Sequence, residues 1–189
     1  MAGKTLSDPI QTFIFKSELN LNVGMAFKFA RKSLNKIVMS HLKAGDKAPL
    51  FSGTDQSGNR IELASYKGNK VVLYFYPKDN TPGCTAEACS LRDNYDRMLS
   101  RGYKVVGVSP DSVESHRKFA DKFELPFPLI ADTEKKILND YGVWGRKKFM
   151  GREYDGVIRT TFIIDEKGVI EEVMDKVDTK NHASQVLKD

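Results

Sequence analysis

The stretch Val71-Val72-Leu73-Tyr74-Phe75-Tyr76-Pro77-Lys78-Asp79-Asn80-Thr81-Pro82-Gly83-Cys84-Thr85-Ala86-Glu87-Ala88-Cys89 decides how this chain folds. Its first six residues are aliphatic or aromatic without a break. That is the composition of a strand covered on both faces. Pro77 to Asn80 interrupt the run, and a helix is expected to follow Gly83. A buried strand feeding a helix is one unit of an α/β fold. The same stretch holds both cysteines of the chain. Cys84 falls in the expected first helical turn, where unpaired N–H groups and the positive helix end favour an anion. A cysteine in such a place can react as the thiolate.

Downstream, the α/β alternation continues. Leu50–Thr54 and Arg60–Leu63 are expected as short strands around a Gln56–Asn59 turn. The helix after Gly83 is expected to present Cys84, Ala88, Leu91 and Tyr95 on one face, with Met98 nearby, and to end at Arg101-Gly102. Val105–Ser109 is the next buried strand. Asp111 and Glu114 look like a capping pair for a helix carrying Phe119, Ala120 and Phe123. Pro126 and Pro128 frame a loop before Leu129-Ile130-Ala131. Glu134–Tyr141 reads as a short helix and Gly142–Gly156 as a charged, glycine-rich loop. Thr160–Ile164 and Val169–Met174 form a strand pair turned by Asp165–Gly168, and Asn181–Leu187 is a last helix. The expected fold class is α/β: a thioredoxin-like arrangement with a central mixed sheet flanked by helices.

At 189 residues and 40% hydrophobic content, the chain can bury one core with length to spare. No apolar run reaches the roughly 20 residues that span a bilayer. Two cysteines are too few for a secreted disulfide framework. They and the scattered His41, His116 and His182 give no zinc-ligand spacing. The net charge is +5, of which +4 lies in residues 1–38. The rest is nearly balanced, which argues against nucleic acid as a partner.

Residues 1–40 read as an N-terminal extension and 41–189 as the folded domain. Phe27, Ala30, Leu34, Ile37 and Val38 fall near helical spacing. Three readings stay open for the extension: a helix docked on the domain, a targeting presequence for organellar import, or translation starting later, as at Met39. A secretory signal is disfavoured, and the cytoplasm is the expected location.

The spacing of the cysteines constrains their chemistry. Five helical steps put the two Cα atoms roughly 8.6 Å apart and turn them by ~140°. A disulfide needs less than about 7 Å. The pair cannot bond while the helix is intact, so any Cys84–Cys89 disulfide requires the first turns to unwind. The C-x-x-x-x-C spacing also differs from the C-x-x-C of dithiol exchange enzymes. Thr81 lies three residues before the sulfur, and Pro77 and Pro82 stiffen the approach to the helix. Arg159, just before the Thr160 strand, would face Cys84 in a thioredoxin-like sheet. Glu87 could orient it through a charge-assisted pair. Each has a plainer alternative. Cys84 could be an inert buried thiol, Arg159 a surface residue, and Glu87 an acid favoured by the helix dipole.

Together these residues resemble a peroxiredoxin. The pattern P-x-x-x-T-x-x-C matches Pro77, Thr81 and Cys84. The run Tyr74–Asp93 is similar to the bacterioferritin comigratory protein, or peroxiredoxin Q, branch. Gly45–Pro49, Leu129–Asp132, Tyr141–Trp144 and Arg159–Asp165 match it too. The resemblance covers about residue 41 onward. It implies that Cys84 is the peroxidatic cysteine, that Thr81 and Arg159 position and polarise the peroxide, and that Pro77 shields the sulfur. It further implies that Cys89 resolves the sulfenic acid as an intramolecular disulfide and that a thioredoxin-type donor reduces it. No metal, haem or flavin is implied, and a monomer is favoured over a dimer. The substrates implied are hydrogen peroxide and organic hydroperoxides. Rival functions are a disulfide reductase on the same fold, a peroxide-sensing interaction protein, and a structural domain with inert thiols.

Overall fold

The computed structural model describes residues 42–149 and 151–189. The expectations for residues 1–40, including the Phe27–Val38 stripe, lie outside the described residues, as does His41. Nine strands are assigned there: β1 (Ser52–Thr54), β2 (Arg60–Glu62), β3 (Lys70–Phe75), β4 (Tyr103–Ser109), β5 (Leu129–Ala131), β6 (Trp144–Phe149), β7 (Arg152–Val157), β8 (Thr160–Ile164) and β9 (Ile170–Met174). The α-helices are α1 (Pro82–Asp93), α2 (Tyr95–Ser100), α3 (Val113–Phe123), α4 (Lys136–Asp140) and α5 (His182–Leu187).

The central sheet has the order β5-β4-β3-β8-β9. β3, β4 and β5 run parallel, while β8 and β9 add antiparallel, so the sheet is mixed. β3 is the middle strand and is buried on both faces. Strand alternation sorts its side chains between two cores. Val72, Tyr74 and Tyr76 pack with Cys84, Ala88, Leu91, Met98 and Val186 under α1, α2 and α5. Val71, Leu73 and Phe75 pack with Val106, Ile137, Tyr141 and Phe162 on the other face. Each large side chain buried this way stabilises by about 1.5–3 kcal/mol. Tyr74 lies between Gly107 on one neighbour and Thr161 on the other. A Cβ on Gly107 would come within 2.8 Å of the Tyr74 ring, so glycine is required by that ring.

Three sequence expectations change. The helix after the cysteine loop begins at Pro82 and stops at Asp93, with α2 following as a separate piece. Asn94 makes the break, its side chain donating to the Ser90 carbonyl at 3.0 Å. Asp111 and Glu114 are not a capping pair. Ser112 caps α3 by accepting from Ser115 N. Asp111 instead accepts from Asp79 N and Ser109 Oγ, and Glu114 pairs with Lys118. Finally, 142–156 is not a loop: β6 and β7 make an antiparallel hairpin. Arg146, Glu153, Tyr154 and Asp155 are exposed there, so no alternation of apolar residues announces the strands. Among the described residues no helix is long and apolar enough to cross a membrane.

Candidate active site

The site forms where β3 ends and α1 begins, beside the start of β8. Thr81 is the N-cap and Pro82 opens the helix, where its missing N–H costs nothing. Cys84 is therefore the third helical residue, in the turn whose N–H groups lack intrahelical acceptors. Its side chain is buried, and both cysteines are free thiols. Cys89 lies farther along the same helix and is half-buried. The intact helix holds the two sulfurs' residues apart, as the spacing argument requires.

Arg159 reaches across from the residue before β8. Its Nη2 donates to Cys84 Sγ at 3.2 Å. Its Nη1 binds the Glu87 carboxyl. One guanidinium thus holds the sulfur and a buried acid at once. Burial works against the Arg159 charge, but Glu87 and Cys84 outweigh it and hold its pKa above the ordinary value. Glu87 is fully buried, and burial pushes its pKa up to about 7 against the pull of Arg159. A Cβ on Gly83 would meet Arg159 Nη2 at 3.6 Å, an ordinary contact, so the guanidinium lies directly over the start of the helix.

The other expected residues are placed less directly. Thr81 does not donate to the sulfur: its hydroxyl donates to the Lys78 carbonyl at 3.0 Å. Its oxygen is left with acceptor capacity only. Pro77 is half-buried in the loop between β3 and α1.

Sequence reading missed the supports behind the site. Asp79 accepts from Tyr76 Oη at 2.8 Å and Ser115 Oγ at 2.7 Å, and its carboxylate faces His116 Nδ1 at 2.9 Å. Burial pushes the Asp79 carboxyl up, but His116, Ser115 and Tyr76 more than offset it and leave its pKa low. This cluster pins the loop that carries Thr81 and α1. Lys147 of the β6–β7 hairpin donates to the Val157 carbonyl at 2.7 Å, two residues before Arg159. Burial, then the Arg159 charge, lowers its pKa. His182 stacks edge-on against Tyr74, with ring centroids 6.2 Å apart, and lies next to Glu87. The spacing of these residues along the chain carried no sign of these meetings.

Comparison with known proteins agrees with this geometry. Residues 44–173 match the AhpC/TSA family. The chain is 48% identical over 149 residues to "Peroxiredoxin Bcp" of Escherichia coli K12, covering 79% of this chain and 96% of the relative. A crystal structure of the peroxidoxin BcpB from Mycobacterium tuberculosis superposes with TM-score 0.70 at 33% identity, over 78% of this chain and 96% of that one. The Xanthomonas campestris bacterioferritin comigratory protein, described for its alkyl peroxide reduction activity, matches with TM-score 0.70 at 31% identity, over 76% and 96%.

Proposed function

The chain belongs to the AhpC/TSA family as a peroxiredoxin of the Bcp type, and from that premise we propose that Cys84 attacks the peroxide and Cys89 resolves the product. Arg159 Nη2 at 3.2 Å from Cys84 Sγ carries the assignment. It is the one fixed positive charge donating to that sulfur among the described residues.

The reaction proceeds in balanced steps. The Cys84 thiolate attacks one oxygen of the peroxide O–O bond. The S–O bond forms as the O–O bond breaks, giving Cys84 sulfenic acid and an alkoxide or hydroxide that takes a proton and leaves. The Arg159 guanidinium stabilises charge on the sulfur and on the departing oxygen. Glu87 holds Nη1 and so aims Nη2. Thr81 Oγ1, its proton committed to Lys78, accepts the peroxide O–H and orients it. Pro77 limits water at the mouth of the site.

The first turns of α1 then unwind, because the intact helix keeps Cys89 out of bonding range. The Cys89 sulfur attacks Cys84 Sγ, the S–O bond breaks, and water leaves. A dithiol donor of the thioredoxin type reduces the resulting disulfide by exchange. Because both sulfurs lie in one chain, the reaction needs no second subunit, which favours a monomer. Residues 41–189 form the catalytic domain, with 1–40 as an extension to it. The likeness to the Xanthomonas protein supports organic hydroperoxides as substrates beside hydrogen peroxide, and the bacterial relatives support a cytoplasmic site of action.

The test is a peroxidase assay coupled to thioredoxin and its reductase. Cys84→Ser is expected to be inactive. Cys89→Ser is expected to undergo the first oxidation but to lose recycling. Full turnover by Cys84→Ser would refute the assignment.

A further inference from the structure

Behind the Arg159–Cys84 contact lies a polar cluster with no route to solvent. Glu87 and His182 are fully buried. Among the described residues, Tyr74 Oη, Glu87 Oε1 and His182 Nδ1 are buried side-chain atoms without a hydrogen-bond partner. Two of them face each other, with His182 Nδ1 at 3.4 Å from Glu87 Oε1. The other ring nitrogen of His182 lies 3.0 Å from Thr161 Oγ1. Buried polar atoms are ordinarily paired, so this approach calls for a proton between them.

Two arrangements satisfy every atom of the pair. In one, His182 carries its proton on Nδ1 and donates to a Glu87 carboxylate, while Thr161 donates to Nε2. In the other, His182 carries its proton on Nε2 and donates to Thr161, while a protonated Glu87 donates to Nδ1. They differ by one proton and by the imidazole tautomer. They also differ at Arg159. A Glu87 carboxylate neutralises part of the guanidinium; a protonated Glu87 leaves that charge to Cys84.

We propose that His182 is a positioning residue for peroxide attack, and that its hydrogen bond to Glu87 sets how much of the Arg159 charge acts on Cys84. The proposal rests on Cys84 being the attacking sulfur. The groups facing the pair are Arg159 just before β8, Thr161 on β8, Cys84 on α1, Tyr74 on β3, and Asp178 before α5. Burial, then Arg159, depresses the His182 pKa to about 4 with Asp178 pulling the other way, so the imidazole is neutral near pH 7. Glu87, pushed up to about 7, changes state there. Helix α5 is tied to α1 by Ala183 N donating to Ser90 Oγ at 3.2 Å, which keeps His182 against Glu87.

The first test is nitrogen NMR of the His182 ring in the reduced full chain between about pH 5 and 9. The proton is expected on Nε2 at the acid end and on Nδ1 at the alkaline end, with the switch absent in Glu87→Gln. A fixed tautomer, or the same switch in Glu87→Gln, overturns the proposal. The second test is the pH profile of single-turnover Cys84 oxidation by hydrogen peroxide. His182→Leu removes the partner of Glu87 in both arrangements, so the Glu87 inflection should move by about one pH unit or more from its wild-type position. His182→Asn keeps both a donor and an acceptor and should restore the wild-type profile. Unchanged profiles in both variants, or an equal loss at every pH in both, overturn it. Failure of wild-type Cys84 to be oxidised would instead overturn the site assignment, and the tautomer switch would still be readable.

Discussion

Replacing Glu87 by glutamine should make the protein more stable, with the difference growing as pH rises from about 4.5 to 7. Glu87 ordinarily would release its proton near 4.5, but in the fold it holds it up to about 7. A carboxyl whose folded pKa is raised stabilises fully below the unfolded value and loses that contribution as pH rises through the folded value. The difference of about 2.5 pH units corresponds to ~3 kcal/mol, lost between about pH 4.5 and 7. Glutamine mimics the protonated carboxyl at all pH values. Glu87→Gln should therefore match wild type near pH 4 and exceed it by ~3 kcal/mol above pH 7. His182 works in the opposite sense. Its folded pKa of about 4 lies below the ordinary 6.5, so its contribution is present above 6.5 and lost as pH falls. In wild type the two slopes oppose each other between about pH 4.5 and 6.5, and Glu87→Gln exposes the histidine slope. The assay is urea unfolding of the reduced proteins from about pH 4 to 9, read as the difference between variant and wild type. A Glu87→Gln protein no more stable than wild type at pH 8, or a difference independent of pH, refutes the reasoning.

Three further outcomes are expected. Arg159→Lys keeps a charge but cannot hold Cys84 and Glu87 together, so the rate of Cys84 oxidation should fall by about two orders of magnitude in stopped-flow assays. Gly107→Ala puts a methyl within 2.8 Å of the Tyr74 ring and 2.7 Å of Leu129, and thermal or denaturant unfolding should show a loss of roughly 1–3 kcal/mol. The Cys84–Cys89 disulfide form should lose helical circular dichroism relative to the reduced form; identical helix content in both would contradict the unwinding step.

Much of the site was legible because its chemistry is local. Cys84 lies in the first turn of a helix, as expected, although the helix starts earlier than expected, with Thr81 as its cap and Pro82 as its first residue. Arg159 was legible because the end of a strand facing a helix N-terminus is a topological position, and β8 does pair with β3. The hairpin of β6 and β7 was not legible. Its strands are charged on exposed positions, so no burial period was imprinted on the sequence. Asp111 was misread because a residue near a helix start looks like a cap whether or not a distant backbone N–H claims it. Here Asp79 N does, at 3.0 Å.

The sequence by itself determined the α/β order, the buried middle strand, the helix that carries both cysteines, and the impossibility of bonding them without unwinding it. These depend on covalent spacing and helix geometry. The tertiary structure realised the Arg159 contacts that the sequence suggested and alone decided what lies behind Glu87. Sheet order brought Arg159 to Sγ and to Glu87, and the packing of α5 on α1 brought His182 to the far side of that acid. The charge state of a buried acid depends on what surrounds it in space: burial first, then Arg159, 72 positions away along the chain, set that of Glu87.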